Sequence, residues 1–178
     1  MSPGEVDDVL TPESRFRAIY DATAEDLLRF LLRRTPTPED AADCLADAFL
    51  IAWDKRDALP SAPEDARPWL FGVARNVLRR SQKRDGRAST ARAELARELE
   101  GTQRQFPADD PVTAALERLS PVDREIIEML AWDQLPPREI AAILQLSPNV
   151  VRIRAHRARL KLRTELQAQN PRKTASDI

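Results

Sequence analysis

The stretch LPPREIAAILQLSPNVVRIRAHRARLKL, from Leu135 to Leu162, decides the fold of this chain of 178 residues. Pro136 and Pro137 predict the start of a short helix, because proline lacks the N–H that would be unpaired in a first helical turn. Residues 145–147 form a turn, and the hydroxyl of Ser147 can cap a second helix that begins at the next residue. Two helices joined by so short a turn predict a helix-turn-helix.

The second helix of this stretch has an apolar face and a basic face. Val151, Ala155, Ala158 and Leu162 recur at helical spacing, so we expect them to pack inward. Residues 152–163 include six basic side chains and no acidic one. A solvated helix face usually mixes signs, because like charges at this spacing repel. Each basic side chain that neutralises a DNA phosphate releases bound counterions, which favours binding. The pattern therefore favours DNA binding over a merely solvated face.

Charge is strongly segregated along the chain, although the formal net charge is only -1. Residues 1–66 have 7 basic and 15 acidic side chains, whereas residues 67–92 have 8 basic side chains against one aspartate. Each of the two basic blocks follows an acidic segment. This distribution indicates two nucleic-acid contacts and a surface suited to a basic or mixed protein partner.

Residue usage excludes several classes of protein. The single cysteine, Cys44, excludes an internal disulfide and a cysteine-rich zinc site. No apolar run approaches membrane-spanning length, so we expect no membrane insertion. The N-terminal sequence MSPGEVDDVL is acidic and does not resemble a signal peptide. We therefore expect a reduced, cytoplasmic setting.

Catalysis, metals and cofactors are not expected. Ser-His-Asp, paired-carboxylate, phosphate-loop and metal-ligand patterns are missing in the required context. His156 is the only histidine and has no acidic or cysteine neighbour at ligand spacing. Contact with DNA, or simple exposure, is favoured over metal binding for this side chain.

The whole chain predicts an all-α fold of two small helical domains joined by a linker, the second containing the helix-turn-helix. No alternating strand pattern appears. Thr11 and Thr37 each precede a proline and predict two helix starts, and a third helix from about Trp69 to Arg84 follows a proline-rich break at 59–68. The predicted boundaries are 11–88 for the first domain, 89–110 for a partly helical or disordered linker, and 111–168 for the second domain.

Apolar spacing predicts the residues of each core. The first helix has one apolar face, interrupted by Thr23 and formed by Phe16, Ile19, Tyr20, Leu27, Phe30 and Leu31. The second is expected to bury Ala41, Leu45, Ala48, Phe49 and Ala52 and to expose Asp40, Asp43, Asp47 and Asp54. In the second domain, helices beginning near Pro111 and Ser120 share a core with the helix-turn-helix, formed by Leu116, Leu119, Ile126, Ile127, Leu130, Ile140, Ile143, Leu144, Val151 and Leu162.

Three blocks of this sequence resemble the extracytoplasmic-function class of bacterial RNA polymerase sigma factors. DAADCLADAFLIAW at 40–53 resembles the family's polymerase-binding helix, and RPWLFGVARNVLRR at 67–80 resembles its minus-ten-reading helix. ALERLSPVDREIIEML, with LPPREIAAILQLS and RIRAHRARLKL, resembles its minus-thirty-five-reading domain. The resemblance covers roughly residues 14–166. It implies a transcription initiation factor, specifically a stress- or signal-responsive alternative sigma factor.

The resemblance implies a partner for each block. The clamp of the largest subunit of the polymerase core would be bound by Asp43, Ala46, Asp47 and Leu50. The minus-ten element of promoter DNA would be contacted by Arg67, Arg75, Asn76, Arg79, Arg80 and Lys83, with Arg84 beside them. The minus-thirty-five element would be contacted by Ser147, Asn149, Arg152, Ile153, Arg154, His156 and Arg157. Family members are also often held by an anti-sigma factor.

Two details of the minus-ten block concern bases. The amide of Asn76 has both a donor and an acceptor and suits a base edge. Trp69 and Phe71 could stack on an extruded base, but the resemblance favours Trp69 as a core residue. It places the extruded base nearer the loop at residues 60–65.

Several positions depart from the family pattern. The family usually has Gly-Thr-Val at 149–151, and a basic residue then serine where Arg152 and Ile153 stand. It also usually has glutamine at Ala46 and aspartate at Arg80. Ile153 suits an apolar contact such as a thymine methyl, so the family's usual minus-thirty-five motif should not be assumed.

Two other classes of protein compete with this interpretation. A stand-alone transcriptional regulator would use the same helix-turn-helix, usually as a dimer on a symmetric site. An enzyme or adaptor could use the arginine-rich helix to hold another protein. The second basic block and the acidic helix around Asp47 favour the sigma factor.

Overall fold

The computed structural model describes residues 11–60, 62–96 and 111–169, and its ordered elements over those ranges are helices. The chain divides into two compact units, residues 1–88 and 89–178. The all-α fold expected from the sequence is confirmed. The helices are α1 (Pro12–Leu32), α2 (Pro38–Asp54), a 3-10 turn (Arg56–Ala58), α3 (Pro63–Ala96), α4 (Pro111–Glu117), α5 (Pro121–Ala131), α6 (Pro137–Leu144) and α7 (Pro148–Gln169).

Three helices begin with the same capping arrangement. The hydroxyls of Thr11, Thr37 and Ser120 accept hydrogen bonds from the backbone N–H three residues later, at 3.2, 3.1 and 3.2 Å. A proline follows each capping residue, where its missing N–H leaves no partner unsatisfied. Each such cap typically contributes about 1 kcal/mol, which explains why the sequence located these helix starts well.

The core of the first unit forms where α1, α2 and α3 meet. Leu27, Phe30 and Leu31 of α1 are buried, and the ring of Phe30 packs edge-on against Phe71 of α3 at 5.4 Å between centroids. The buried face of α2 consists mostly of small residues, which permits close approach of its neighbours. Its buried residues are Ala41, Cys44, Ala48, Phe49 and Ala52.

Four predicted core positions of the first unit are less buried than expected. Tyr20 is 44% exposed, although its ring still packs on Phe49 at 4.5 Å between centroids. Three others, Phe16, Ile19 and Leu45, are half-buried. Thr23, the expected polar interruption, is buried, and its hydroxyl donates to the carbonyl of Ile19 at 2.6 Å. This bond satisfies the hydroxyl within its own helix, so its burial costs little.

The start of α3 corrects one sequence prediction. The helix was expected near Trp69, after a proline-rich break at 59–68, but it begins at Pro63 and contains Pro68. Pro63 occupies the first helical position, and Pro68 removes only one hydrogen bond near that end. At its other end α3 continues to Ala96, which makes the start of the predicted linker helical. The rest of that linker, 97–110, lies outside the described residues.

The second unit contains the helix-turn-helix formed by α6 and α7. Of its predicted core, Leu130, Leu144 and Leu162 are only half-buried. The other predicted positions are buried, namely Leu116, Leu119, Ile126, Ile127, Ile140, Ile143 and Val151. Met129 and Leu135, which were not among the predicted core residues, are also buried.

The turn between α6 and α7 is made by a residue in the left-handed conformation. Gln145 has φ 55° and ends α6, and the N–H of Leu146 donates to the carbonyl of Ala141 at 2.8 Å. This hydrogen bond satisfies a carbonyl at the helix end and reverses the chain direction. Helix α7 therefore begins at Pro148, directly after this short turn.

Candidate nucleic-acid and polymerase interfaces

Helix α7 presents a basic face to solvent because the apolar residues of the opposite face pack into the core. Val151, Ala155 and Ala158 are buried. Four basic side chains of this helix are exposed and form no ion pair or hydrogen bond with any other residue that the structure describes. They are Arg152, Arg157, Arg159 and Arg163.

The start of α7 adds polar and apolar groups to that face. The hydroxyl of Ser147 accepts a hydrogen bond from the N–H of Val150 at 3.3 Å and thereby caps the helix. Asn149 and His156 are exposed, and Ile153 is 43% exposed. Free N–H groups at a helix start can hold a phosphate oxygen. The structure thus brings five of the predicted minus-thirty-five residues besides Ser147 to one surface, namely Asn149, Arg152, Ile153, His156 and Arg157.

Arg154, the remaining predicted contact, lies elsewhere. Its Nε is 2.8 Å from Oδ1 of Asp123, and its Nη2 donates to Oγ of Ser120 at 3.3 Å. Lys161 likewise donates to the carbonyl of Arg118 at 2.6 Å. Two of the six basic side chains counted in this helix therefore bind the turn and helix that precede the helix-turn-helix.

Helix α3 presents the second basic face. Asn76 is exposed, as are four basic side chains that form no hydrogen bond or ion pair with the other described residues: Arg79, Arg80, Lys83 and Arg84. Arg75 is half-buried. The spacing of Asn76, Arg80 and Lys83 places them on adjacent turns of one helix face. An extended anion such as a single DNA strand could follow this face.

Two aromatic residues of α3 do not form an open stacking platform. Phe71 is 1% exposed and packs against Phe30, so the suggestion that it stacks on a base is wrong. Trp69 is half-buried, which is intermediate between the core and stacking interpretations.

Arg67 is engaged within the first unit. Its Nη2 donates to Oδ2 of Asp26 on α1 at 3.0 Å, and its guanidinium lies over the ring of Phe71 at 5.0 Å from the centroid. Arg67, and to a smaller extent Arg29, lower the pKa of the Asp26 carboxyl below its ordinary value. Arg67 therefore joins α3 to α1, a role that its place in the basic block did not indicate.

Helix α2 carries the predicted polymerase-binding residues on its exposed face. Asp43, Ala46 and Asp47 are exposed, and Leu50 is 62% exposed. Trp53, one turn further, is 40% exposed and extends the apolar part of this surface. Trp53 was not among the residues predicted to bind polymerase.

A shallow groove of about 410 Å³ separates the exposed faces of α2 and α3. Its lining mixes one acid, two apolar side chains and three cations. The lining residues are Asp47, Ile51, Val77, Arg80, Lys83 and Arg84. The acidic surface of α2 and the basic surface of α3 therefore meet at this groove.

The part of the chain that the structure describes contains no cluster of three or more His, Cys, Asp or Glu side chains able to hold a metal ion. Nor does any helix in those ranges have the length and apolarity needed to cross a membrane. Cys44 is buried, and burial raises the pKa of its thiol, although a hydrogen bond with Ser81 partly opposes this shift.

The structure describes two helical units, each with an exposed basic helix face, as expected of a protein that contacts DNA at two places. Comparison with known families identifies the same two units. The sigma-70 region 2 family matches residues 19–88, and the sigma-70 region 4 family matches residues 109–162. The extracytoplasmic-function (ECF) RNA polymerase sigma factor SigL of Mycobacterium tuberculosis is 33% identical over 164 residues, covering 85% of this chain and 88% of SigL. RNA polymerase sigma-E factor of Streptomyces coelicolor is 30% identical, covering 85% and 86%.

This chain therefore belongs to the ECF RNA polymerase sigma factors. It is a transcription initiation factor that binds RNA polymerase core and promoter DNA. The family is in general non-enzymatic.

Two solved structures share the fold, one of which is a sigma factor. CnrH, in complex with the cytosolic domain of CnrY, matches with a TM-score of 0.58 at 27% identity, covering 88% of this chain and 90% of CnrH. RpoE of Bartonella quintana, in complex with the anti-sigma factor NepR, matches with a TM-score of 0.60 at 21% identity, covering 86% and 97%.

Proposed function

We propose that this sigma factor divides promoter recognition between two basic faces, with α7 contacting the minus-thirty-five element and α3 contacting the minus-ten element. The observation that carries this proposal is the presence, on both helices, of exposed cations that form no hydrogen bond or ion pair with the rest of the described chain. Unpaired like charges on one face cost stability unless an anionic partner neutralises them. Promoter DNA supplies that partner.

On α7, the proposed base contacts come from the exposed side chains of the first three turns. Arg152 and Arg157 suit guanine, with which arginine forms two hydrogen bonds worth about 1–3 kcal/mol of discrimination. Ile153 suits a thymine methyl, and His156 extends the same face. Ser147 and Asn149 lie where a phosphate would approach the helix start.

On α3, Asn76 is the proposed reader of a base on the opened strand. Arg79, Arg80 and Lys83 would neutralise the phosphates of that strand. Opening about ten base pairs costs on the order of 14 kcal/mol, at about 1.4 kcal/mol per stacking step. A few contacts on one helix do not supply that energy, so α3 captures a strand that opens with the help of the polymerase.

On α2, we assign polymerase binding to the exposed row of Asp43, Ala46, Asp47 and Leu50. The two carboxylates suit a basic surface on the clamp of the largest polymerase subunit. Leu50 offers an apolar contact in the same row, and desolvated apolar anchors commonly contribute much of the binding energy at interfaces. The nearby Trp53 would extend this anchor.

Three further assignments complete the proposal. The functional domains are 11–88 and 111–168, joined by a linker at 89–110, in keeping with the ranges that the two sigma-70 regions match. The protein acts in the cytoplasm, where polymerase and chromosomal DNA meet. Its activity is controlled by a signal through an anti-sigma factor, as the similarity to RpoE of Bartonella quintana supports, because RpoE was solved with an anti-sigma factor.

Run-off transcription with purified polymerase core and fragments of the source genome tests the proposed function. Transcripts with defined starts that require both the core and this chain are the expected result. Footprinting of the same fragments would then show protection at two upstream positions. A lack of any start site, together with a symmetric footprint made by the chain alone, would favour the stand-alone regulator.

A further inference from the structure

Arg154 is in the basic sequence of α7, yet its guanidinium binds the beginning of α5. Its two polar contacts, 2.8 Å to Oδ1 of Asp123 and 3.3 Å to Oγ of Ser120, are both with the start of that helix. The side chain is half-buried, whereas its neighbours Arg152 and Arg157 are exposed. A guanidinium held there is turned away from the face that meets solvent.

The Ser120 hydroxyl makes as many hydrogen bonds as a hydroxyl can. It donates to Oδ2 of Asp123 at 2.6 Å and accepts from the N–H of Asp123 at 3.2 Å and from Arg154 at 3.3 Å. A serine hydroxyl has one donor and two acceptor lone pairs, so its capacity is filled. The cap of α5 and the attachment of α7 therefore depend on the same two side chains.

A second attachment lies two helical turns further along α7. Lys161 donates to the carbonyl of Arg118, and Arg118 pairs with Glu165. Between the two attachments the buried side chains of α7 are Ala155 and Ala158. Such small side chains allow close packing but resist rotation of the helix about its axis only weakly, so the polar attachments at Arg154 and Lys161 can add to that resistance.

We propose that Arg154 is a positioning residue, which sets the rotation and tilt of α7 against α5 and does not itself contact DNA. The proposal rests on the assignment of α7 to promoter DNA. Paired hydrogen bonds between arginine and guanine require accurate placement of the guanidinium. A small rotation of α7 would move Arg152 and Arg157 away from the base edges while leaving general attraction to phosphate intact.

The test compares Arg154→Ala and Asp123→Asn with Arg157→Ala in the full chain. The probe is a duplex of about 30 base pairs with the upstream element of a promoter recovered by run-off transcription, alongside a scrambled duplex. We expect the first two variants to lose about tenfold in affinity for the specific duplex and little for the scrambled one. The slope of log affinity against log salt should stay at the wild-type value for both, whereas Arg157→Ala, which removes an exposed cation from the proposed DNA-facing surface, should lower it.

The effect of Asp123→Asn on DNA affinity distinguishes a positioning role of Arg154 from direct contact with DNA. If Arg154 contacted DNA, this variant would release the guanidinium and leave affinity unchanged or higher, and Arg154→Ala would reduce the salt slope. Either result overturns the proposal. Equal loss of affinity for the specific and scrambled duplexes would also overturn it, because a folding defect lowers both. The double variant should bind no more weakly than either single variant.

Amide hydrogen exchange on the free chain provides a measurement that does not depend on DNA. Arg154→Ala and Asp123→Asn should both accelerate exchange in the first turns of α5, while Arg157→Ala should not. Wild-type exchange rates in both variants would overturn the proposal. Should the wild-type chain bind no duplex, the assignment of α7 to DNA fails, and the exchange result still decides whether Arg154 fixes the packing of α7 on α5.

Discussion

Nη2 of Arg67 lies 3.0 Å from Oδ2 of Asp26, so an arginine from the basic block of α3 is joined to an acid of α1 forty-one residues earlier. Asp26 also pairs with Arg29 of its own helix. The two guanidiniums lower the pKa of the Asp26 carboxyl, Arg67 having the larger effect. This cluster joins the two helices that also share the contact between Phe30 and Phe71.

Replacing Asp26 by asparagine should reduce the pH dependence of stability. A carboxyl with a lowered pKa stabilises the fold above its ordinary value of 3.8, and that contribution is lost as the pH falls through 3.8 to the lower pKa of the folded state. The partly exposed pair limits the effect at pH 7 to below about 1 kcal/mol. Urea unfolding midpoints at pH 7, 5, 4 and 3 measure it. Asp21→Asn, on the same helix, is the control, and identical pH profiles for Asp26→Asn and wild type would contradict the expectation.

Asn76→Ala and Arg157→Ala should separate strand opening from duplex binding. Removing the Asn76 amide should impair open-complex formation and leave binding to duplex DNA with the upstream element largely intact. Removing Arg157 should have the reverse effect, because a lost guanine contact costs about 1–3 kcal/mol. Permanganate reactivity of unpaired thymines reports opening, and gel shifts report duplex binding. Equal losses by both variants in both assays would refute this division.

Asp47→Lys should weaken binding to polymerase core by about tenfold or more, which corresponds to at least about 1.4 kcal/mol. The change places a cation where a basic partner surface is expected, and repulsion between like charges at an interface is costly. Leu50→Ala should weaken binding through loss of an apolar contact. Fluorescence anisotropy of labelled protein titrated with core measures both. Asp21→Lys makes the same charge change on α1, and an equal loss there would assign the effect to net charge alone.

Gln145→Gly should stabilise the second unit by about 1 kcal/mol. Gln145 ends α6 at φ 55°. A residue with a Cβ in this left-handed region is strained by roughly 1–2 kcal/mol, and glycine removes the strain at some cost in unfolded-state entropy. Gln145→Ala is the matched control, since it removes the same side-chain atoms beyond Cβ and keeps the strain. Thermal unfolding should rank glycine above both glutamine and alanine, and an alanine variant as stable as glycine would contradict this account.

The sequence predicted helix starts and buried positions well where local chemistry determines them. Thr11, Thr37, Ser120 and Ser147 each cap a helix, because a hydroxyl before a proline favours a helix start in most contexts. The start of α3 was misplaced because a dense run of prolines indicates a break, whereas Pro63 is compatible with the first helical position. Whether this run of prolines interrupts the chain or begins a helix depends on the tertiary packing of residues such as Phe71.

Sequence spacing was less informative about which arginines are available to a ligand. Arg67 and Arg154 stand in basic blocks beside exposed arginines of the same type and charge. Their partners, Asp26 and Asp123, are distant in the sequence and become neighbours only after the helices pack. Local pattern therefore identifies a basic helix, while the tertiary structure selects the side chains that are free.

The unpaired cations of α7 have a consequence for how the protein responds to ionic strength. In the free chain, Arg152, Arg159 and Arg163 repel one another, so added salt should screen this repulsion and make the second unit more resistant to heat. In the complex with DNA, the same salt weakens binding by opposing counterion release. Because of these side chains, added salt should raise the thermal stability of the free protein and lower the stability of its complex with DNA.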